Sequence, residues 1–146
     1  PEALELRGRA AVANGKLAYQ AFTETFDGPR WDALVARGAQ VQRPLWASTS
    51  TKNSAYDDCL YVNPLIGPHT VNTLPDNTLE AFLDHGSVAR TIDTDVAEAQ
   101  ATIDALGRVG VDLADVTAQL EDEGVSAFVK AFDELIATLD AKRTAL

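Results

Sequence analysis

Only two short stretches of this chain have the character of a β-strand, and two strands do not make an independently stable sheet; three or more, or a covering helix, are required. The first is residues 41–48 (VQRPLWAS), too short and too bulky for a helix, with Pro44 suited to an early strand position. It reads as a buried strand ending near Ser48. The second is residues 59–62 (CLYV), and the roughly ten residues between the two hold no helix. Either the helices form the core and the strands are incidental, or the strands belong to a larger sheet of which this chain holds only a part.

Most of the remaining chain is helical in pattern. Residues 2–26 place Leu6, Ala10, Ala13, Leu17 and Ala21 at helical spacing without an internal proline, and Gly28-Pro29 ends that run. A short helix over 29–37 stops at Gly38. Thr73-Leu74-Pro75-Asp76 predicts the start of a helix that runs to His85 and ends at Gly86. Asp95 and Glu98 predict a capping box for a helix with the stripe Val96, Ala99, Ile103 and Leu106. Asp112 and Asp115 open another helix, with Glu121-Asp122-Glu123 as its solvated end. After Gly124, the series Val125, Phe128, Val129, Phe132, Leu135, Ile136 and Leu139 predicts a closing amphipathic helix.

The 146 residues, 46% of them hydrophobic, match one globular domain and exclude a disordered chain. A net charge of −10 without a basic patch argues against nucleic acid and anionic membrane surfaces as partners. No apolar run approaches the roughly 20 residues of a membrane span, and no signal segment opens the chain. Cys59 is the one cysteine, which excludes an internal disulfide and a zinc cage built from cysteines, and fits a reducing compartment. The expected location is the cytoplasm. Methionine is absent and the chain starts abruptly inside a helical pattern, so a piece of a longer protein is expected.

Gly-rich phosphate loops, HExxH and GxSxG are all missing. The candidate for chemistry is the hydroxyl-rich loop Ser48-Thr49-Ser50-Thr51-Lys52-Asn53, placed after the first strand, where α/β barrels hold their ligands. Hydroxyls and backbone amides suit phosphate oxygens, and Lys52 supplies a point charge. Lys52 reads equally as a surface lysine, or as a Schiff-base amine if burial lowers its pKa. His69 and His85 are sixteen residues apart and make no metal site unless the fold brings carboxylates to them. His85 suits the last turn of a helix, where a cation meets the dipole. Asp57-Asp58 is an acid/base pair or a solvated loop, Cys59 a small buried filler, and Trp31 and Phe128 are expected in the core.

The run RPLWASTSTKN at residues 43–53, followed by Tyr61-Val62 and by TVNTLP at 70–75, resembles the C-terminal half of bacterial transaldolases of the long actinobacterial and cyanobacterial type. LRGRAAVAN at 6–14, Asp84-His85-Gly86 and LEDEGV at 120–125 look like landmarks of the same family, so the resemblance covers essentially the whole chain. Ser50 and Ser54 depart from it, standing where glycine and proline are common.

The resemblance implies an α/β fold: a helix-rich, C-terminal part of a (β/α)8 TIM barrel, incomplete because such a barrel needs roughly 250 residues. The two strands would be its seventh and eighth. It implies transfer of a dihydroxyacetone unit between sugar phosphates through a lysine Schiff base, without metal or cofactor. That lysine and the acid/base carboxylates would lie in the N-terminal half of the barrel, outside this chain, so no catalytic residue is assigned here. Ser48 and Lys52 look like the counterparts of residues that hold the substrate phosphate. The expected partners are a sugar phosphate, the rest of the barrel and further copies in a homo-oligomer. The alternative is an independent helix-rich binding or assembly module derived from a transaldolase.

Overall fold

The computed structural model describes residues 2–145, in two compact units, one reaching to Val109 and one starting at Gly110. In the first unit the expected opening helix is interrupted. α1 (Glu2–Glu5) and α2 (Ala10–Thr25) are separated by a turn in which Gly8 takes φ +75°, a conformation that costs other residues dearly. Of the predicted stripe Leu6 and Ala13 are buried, whereas Leu17 is half-buried and Ala21 exposed; α2 buries Gly15, Lys16 and Tyr19 instead.

α3 (Gly28–Val35) follows, with Pro29 in its first turn. At its end Gly38 adopts φ +91°, and the amide of Ala39 reaches back to the Leu34 carbonyl at 3.1 Å, which ends the helix as expected. β1 is only Leu45–Trp46. Its partner is not residues 59–62. There Asp57 Oδ1 accepts from the Cys59 amide at 2.7 Å, and the amides of Leu60, Val62 and Asn63 bond to carbonyls three or four residues back. Backbone groups satisfied locally leave nothing for a ladder, so an Asx turn and a 3₁₀ turn (Asn63–Leu65) replace the predicted strand. The second strand is β2 (Val71–Asn72), outside both stretches that have strand character in the sequence. It lies parallel to β1, pairing Leu45 with Val71 and Trp46 with Asn72.

α4 (Asp76–His85) begins with Asp76 in its first turn and ends at Gly86, as expected. α5 (Val96–Arg108) starts after Asp95, but the capping box is not formed. Asp95 has φ +53° and its side chain caps nothing, while the Glu98 carboxylate is paired with Arg9. α5 turns Ala99, Thr102 and Ala105 toward α2, and small side chains there and at Ala13 let the two helices pack closely, while Gly15 leaves room for the Leu65 side chain of the 3₁₀ turn. The ammonium of Lys16 pins the segment before α5 by donating to the Thr91 and Thr94 carbonyls at 2.5 and 2.9 Å.

Tyr19, Leu65 and Ile92 form the core of this unit, with Val12, Phe22 and Trp46 packed around them. Trp46 Nε1 donates to the Leu65 carbonyl at 3.0 Å, tying β1 to the 3₁₀ turn. Trp31 is half-buried, edge-on to Phe26 at 4.7 Å.

The second unit holds α6 (Leu113–Thr144), a single 32-residue helix where two were expected. Asp112 caps it, its Oδ1 accepting from the amides of Ala114 and Asp115. Gly124 does not break the helix: a helical glycine costs about 1 kcal/mol, too little to outweigh unbroken helix formers on both sides. Glu121, Asp122 and Glu123 therefore lie within the helix and not at its end. None of its residues is buried, and Phe128, expected in the core, is 81% exposed.

Candidate functional site

β1 and β2 run side by side in one direction, so the loops after them leave from the same end. Those two loops are stitched together by side chains. Thr49 Oγ1 donates to Asn72 Oδ1 at 2.9 Å, and Asn77 Nδ2, in the first turn of α4, donates to Ser50 Oγ at 3.4 Å. Thr49 and Ser50 are buried and spend their hydroxyls on holding the loop. Ser48, at φ +57°, is a left-handed residue without the freedom of glycine, a conformation worth about 1–2 kcal/mol. It is exposed, as is Lys52.

Beyond this anchor the loop forms one wall of a cavity of about 460 Å³ lined by Thr51, Lys52, Asn53, Tyr56, Asp57 and Asp58 among others. Ser48 does not line it, so the two predicted phosphate ligands share a loop but not that cavity. Thr51 Oγ1 is buried and, among the described residues, is the one buried side-chain oxygen or nitrogen without a hydrogen-bond partner. Lys52 takes part in none of the ion pairs found among the described residues.

The other wall leads to a cluster that sequence reasoning did not assemble. His85, the last residue of α4, contacts Asp58 Oδ1 through Nε2 at 2.7 Å and Asp84 Oδ2 through Nδ1 at 3.0 Å. Hydrogen bonds to Asp58 and Asp84, with their charge, raise its pKa from the ordinary 6.5 to about 9, and the same contact lowers that of Asp58. Cys59, fully buried behind Asp58, has its thiol pushed up by burial and by the charges of Asp58 and Asp57. Asp58 is thus neither a free acid/base nor a merely solvated acid, and His85 answers to two carboxylates rather than to the helix dipole alone. His69 stands apart, exposed and 6.4 Å from the Phe22 ring.

A raised folded-state pKa means stabilisation that is complete below the unfolded value and fades as pH rises through the folded one. The His85 contribution should therefore be full below 6.5 and lost toward about 9. The Asp58 contribution runs the other way and is lost as pH falls below 3.8. Denaturant midpoints collected with a chelator across this range should show the alkaline decline, and His85→Gln should flatten it. An unchanged profile in that variant would mean that the pair contributes nothing.

The family model described as transaldolase/fructose-6-phosphate aldolase matches residues 2–139. The chain belongs to that family. The transaldolase of Mycolicibacterium smegmatis is 54% identical over 136 residues, which are 92% of this chain and 37% of that protein. The transaldolase of Acidothermus cellulolyticus is 52% identical over 139 residues, 94% of this chain and 37% of that protein. That of Mycobacterium tuberculosis H37Rv is 51% identical over 137 residues, with 92% and 37% covered. The chain thus spans a little over a third of the length of these transaldolases and corresponds to a C-terminal portion of them. A helix-rich structure with one parallel strand pair is consistent with part of a TIM barrel of the transaldolase family. Among the described residues no helix is long and apolar enough to cross a membrane.

Proposed function

We propose that residues 1–146 serve as the C-terminal part of a transaldolase barrel, in an enzyme of the pentose phosphate pathway that moves a dihydroxyacetone unit between sugar phosphates. The observation that carries this reading is identity above 50% to transaldolases over more than nine-tenths of the chain. In this reading β1 and β2 are adjacent barrel strands, and the loop after β1 holds the phosphate of the substrate. Ser48 offers an exposed hydroxyl, and Lys52 an exposed ammonium outside the ion pairs found among the described residues. On a chain of net charge −10 a phosphate dianion requires such a local positive site.

The Schiff-base lysine belongs elsewhere in the enzyme. Lys16 is the one buried lysine among the described residues, and its ammonium is engaged by oxygens of Thr91 and Thr94. Lys52, Lys130 and Lys142 are exposed, without the burial that would ready an amine for attack on a carbonyl. Borohydride trapping with fructose 6-phosphate tests this. The 146-residue chain should acquire no adduct and show no turnover, whereas an enzyme that contains it should be trapped on a lysine outside these residues. A stoichiometric adduct on any lysine of this chain would overturn the reading.

A further inference from the structure

Two histidines and a single cysteine scattered through the sequence make no metal site by spacing, but the fold brings one of each together with carboxylates. Ligand atoms from Asp58, Cys59 and His85 all lie within 4.8 Å of one another. Donors bound at about 2.0–2.3 Å to a tetrahedral ion are about 3.3–3.8 Å apart, so side-chain shifts on the order of 1 Å would close the set around one ion. We propose that Asp58, Cys59 and His85 form a three-ligand site for a zinc-class divalent cation, with Asp84 as the group that orients the histidine.

The orienting contact is the independent observation. A ligating histidine nearly always engages a carboxylate or carbonyl through its other ring nitrogen, which fixes the tautomer and the ring plane. Asp84 Oδ2 is 3.0 Å from Nδ1, while Nε2 is 2.7 Å from Oδ1 of Asp58, the neighbour of Cys59 in the chain. The Asp58 backbone is itself fixed by its neighbours, since Asp57 Oδ1 accepts from the Cys59 amide at 2.7 Å and holds the turn that carries both ligands.

The donor set selects the ion. One sulfur, one imidazole nitrogen and one carboxylate suit a borderline-soft ion such as Zn²⁺, while Mg²⁺ and Ca²⁺ prefer oxygen alone. Carboxylate and thiolate together balance the double positive charge of the ion. Cys59 is fully buried, whereas the Asp58 and His85 side chains are 57% and 48% exposed, so the ion would approach from their side, with solvent filling a fourth position. Binding forms bonds from the ion to Asp58 oxygen, Cys59 Sγ and His85 Nε2, and releases the protons of Sγ and Nε2 to solvent. The hydrogen bond between His85 and Asp58 is replaced by two bonds to the metal.

The test is a titration of the reduced 146-residue chain with Co²⁺ and then Zn²⁺ at about pH 8, where the metal must displace the protons of Cys59 and His85. Co²⁺ should produce a thiolate-to-metal charge-transfer absorption that one equivalent of Zn²⁺ abolishes, and Zn²⁺ should slow alkylation of Cys59. Cys59→Ser should remove the absorption, and His85→Gln should weaken Zn²⁺ binding at least tenfold. Asp84→Asn, which leaves all three ligands in place, should weaken it about 10–100-fold. Absence of the charge-transfer absorption in the unmodified chain would overturn the proposal without recourse to any variant. So would Zn²⁺ affinity that is unchanged in folded Cys59→Ser and His85→Gln, since it would place the metal elsewhere. None of these readouts depends on transaldolase turnover, so failure here leaves the proposed function standing, and the converse holds.

Discussion

Ile92→Ala should destabilise the chain by about 2–5 kcal/mol, the range for emptying a fully buried aliphatic site. Ile92 has no exposed surface and is packed in the core with Tyr19 and Leu65, the junction of α2, the 3₁₀ turn and the segment before α5. A specific neighbour makes the prediction sharper. A Cβ added at Gly67 would stand 2.1 Å from Ile92 Cγ2, nearer than atoms can approach, and 3.1 Å from Ile92 Cβ. Gly67→Ala should therefore cost about 1–3 kcal/mol by overpacking when Ile92 is present. In an Ile92→Ala background the clashing Cγ2 is gone, so the added methyl should cost much less and partly fill the cavity. Denaturant unfolding of both single variants and the double variant gives the coupling, expected at about 0.5–3 kcal/mol in the favourable direction. Strictly additive costs would show that the chain relieves the contact by moving its backbone.

Lys52→Ala, in a transaldolase that contains this chain, should raise KM for fructose 6-phosphate by about 10–100-fold. That is the factor implied by losing one charge-assisted contact of about 1.5–3 kcal/mol. A ketose without phosphate, such as fructose, should be affected far less, because the ammonium would interact with the phosphate alone. Asp57 and Asp58 line the same cavity, and in the absence of Lys52 their charges oppose a dianion there. Asp58 opposes it least, because its charge is offset by the His85 imidazolium. Steady-state kinetics on both substrates decide the matter. Equal loss on both would remove the phosphate assignment, and abolished turnover with lost borohydride trapping would make Lys52 the Schiff-base residue instead.

The family and several of the helices were legible in the residues alone. α3, α4, α5 and the start of α6 appear close to where glycines, prolines and caps put them, because those signals act over a few residues. The hydroxyl-rich loop after β1 was equally legible, because Pro44 and bulky apolar residues mark an extended segment ahead of it.

Tertiary structure alone decided which short apolar segment pairs with β1. CLYV at 59–62 and TVN at 70–72 are both short enough to be strand or turn, and periodicity does not separate them. The choice was made by Asp57, whose side chain closes a local turn at the first, and by the carbonyls of Pro44 and Trp46, which receive the amides of Val71 and Thr73 at the second. The break at Gly8 between α1 and α2 was likewise not legible, because periodicity drawn through one continuous helix does not register it. The meeting of His85 with Asp58 was beyond sequence reading for the same reason. The two residues are 27 apart, and only the fold of the intervening chain, which returns α4 to the turn before the 3₁₀ segment, sets their side chains 2.7 Å from each other.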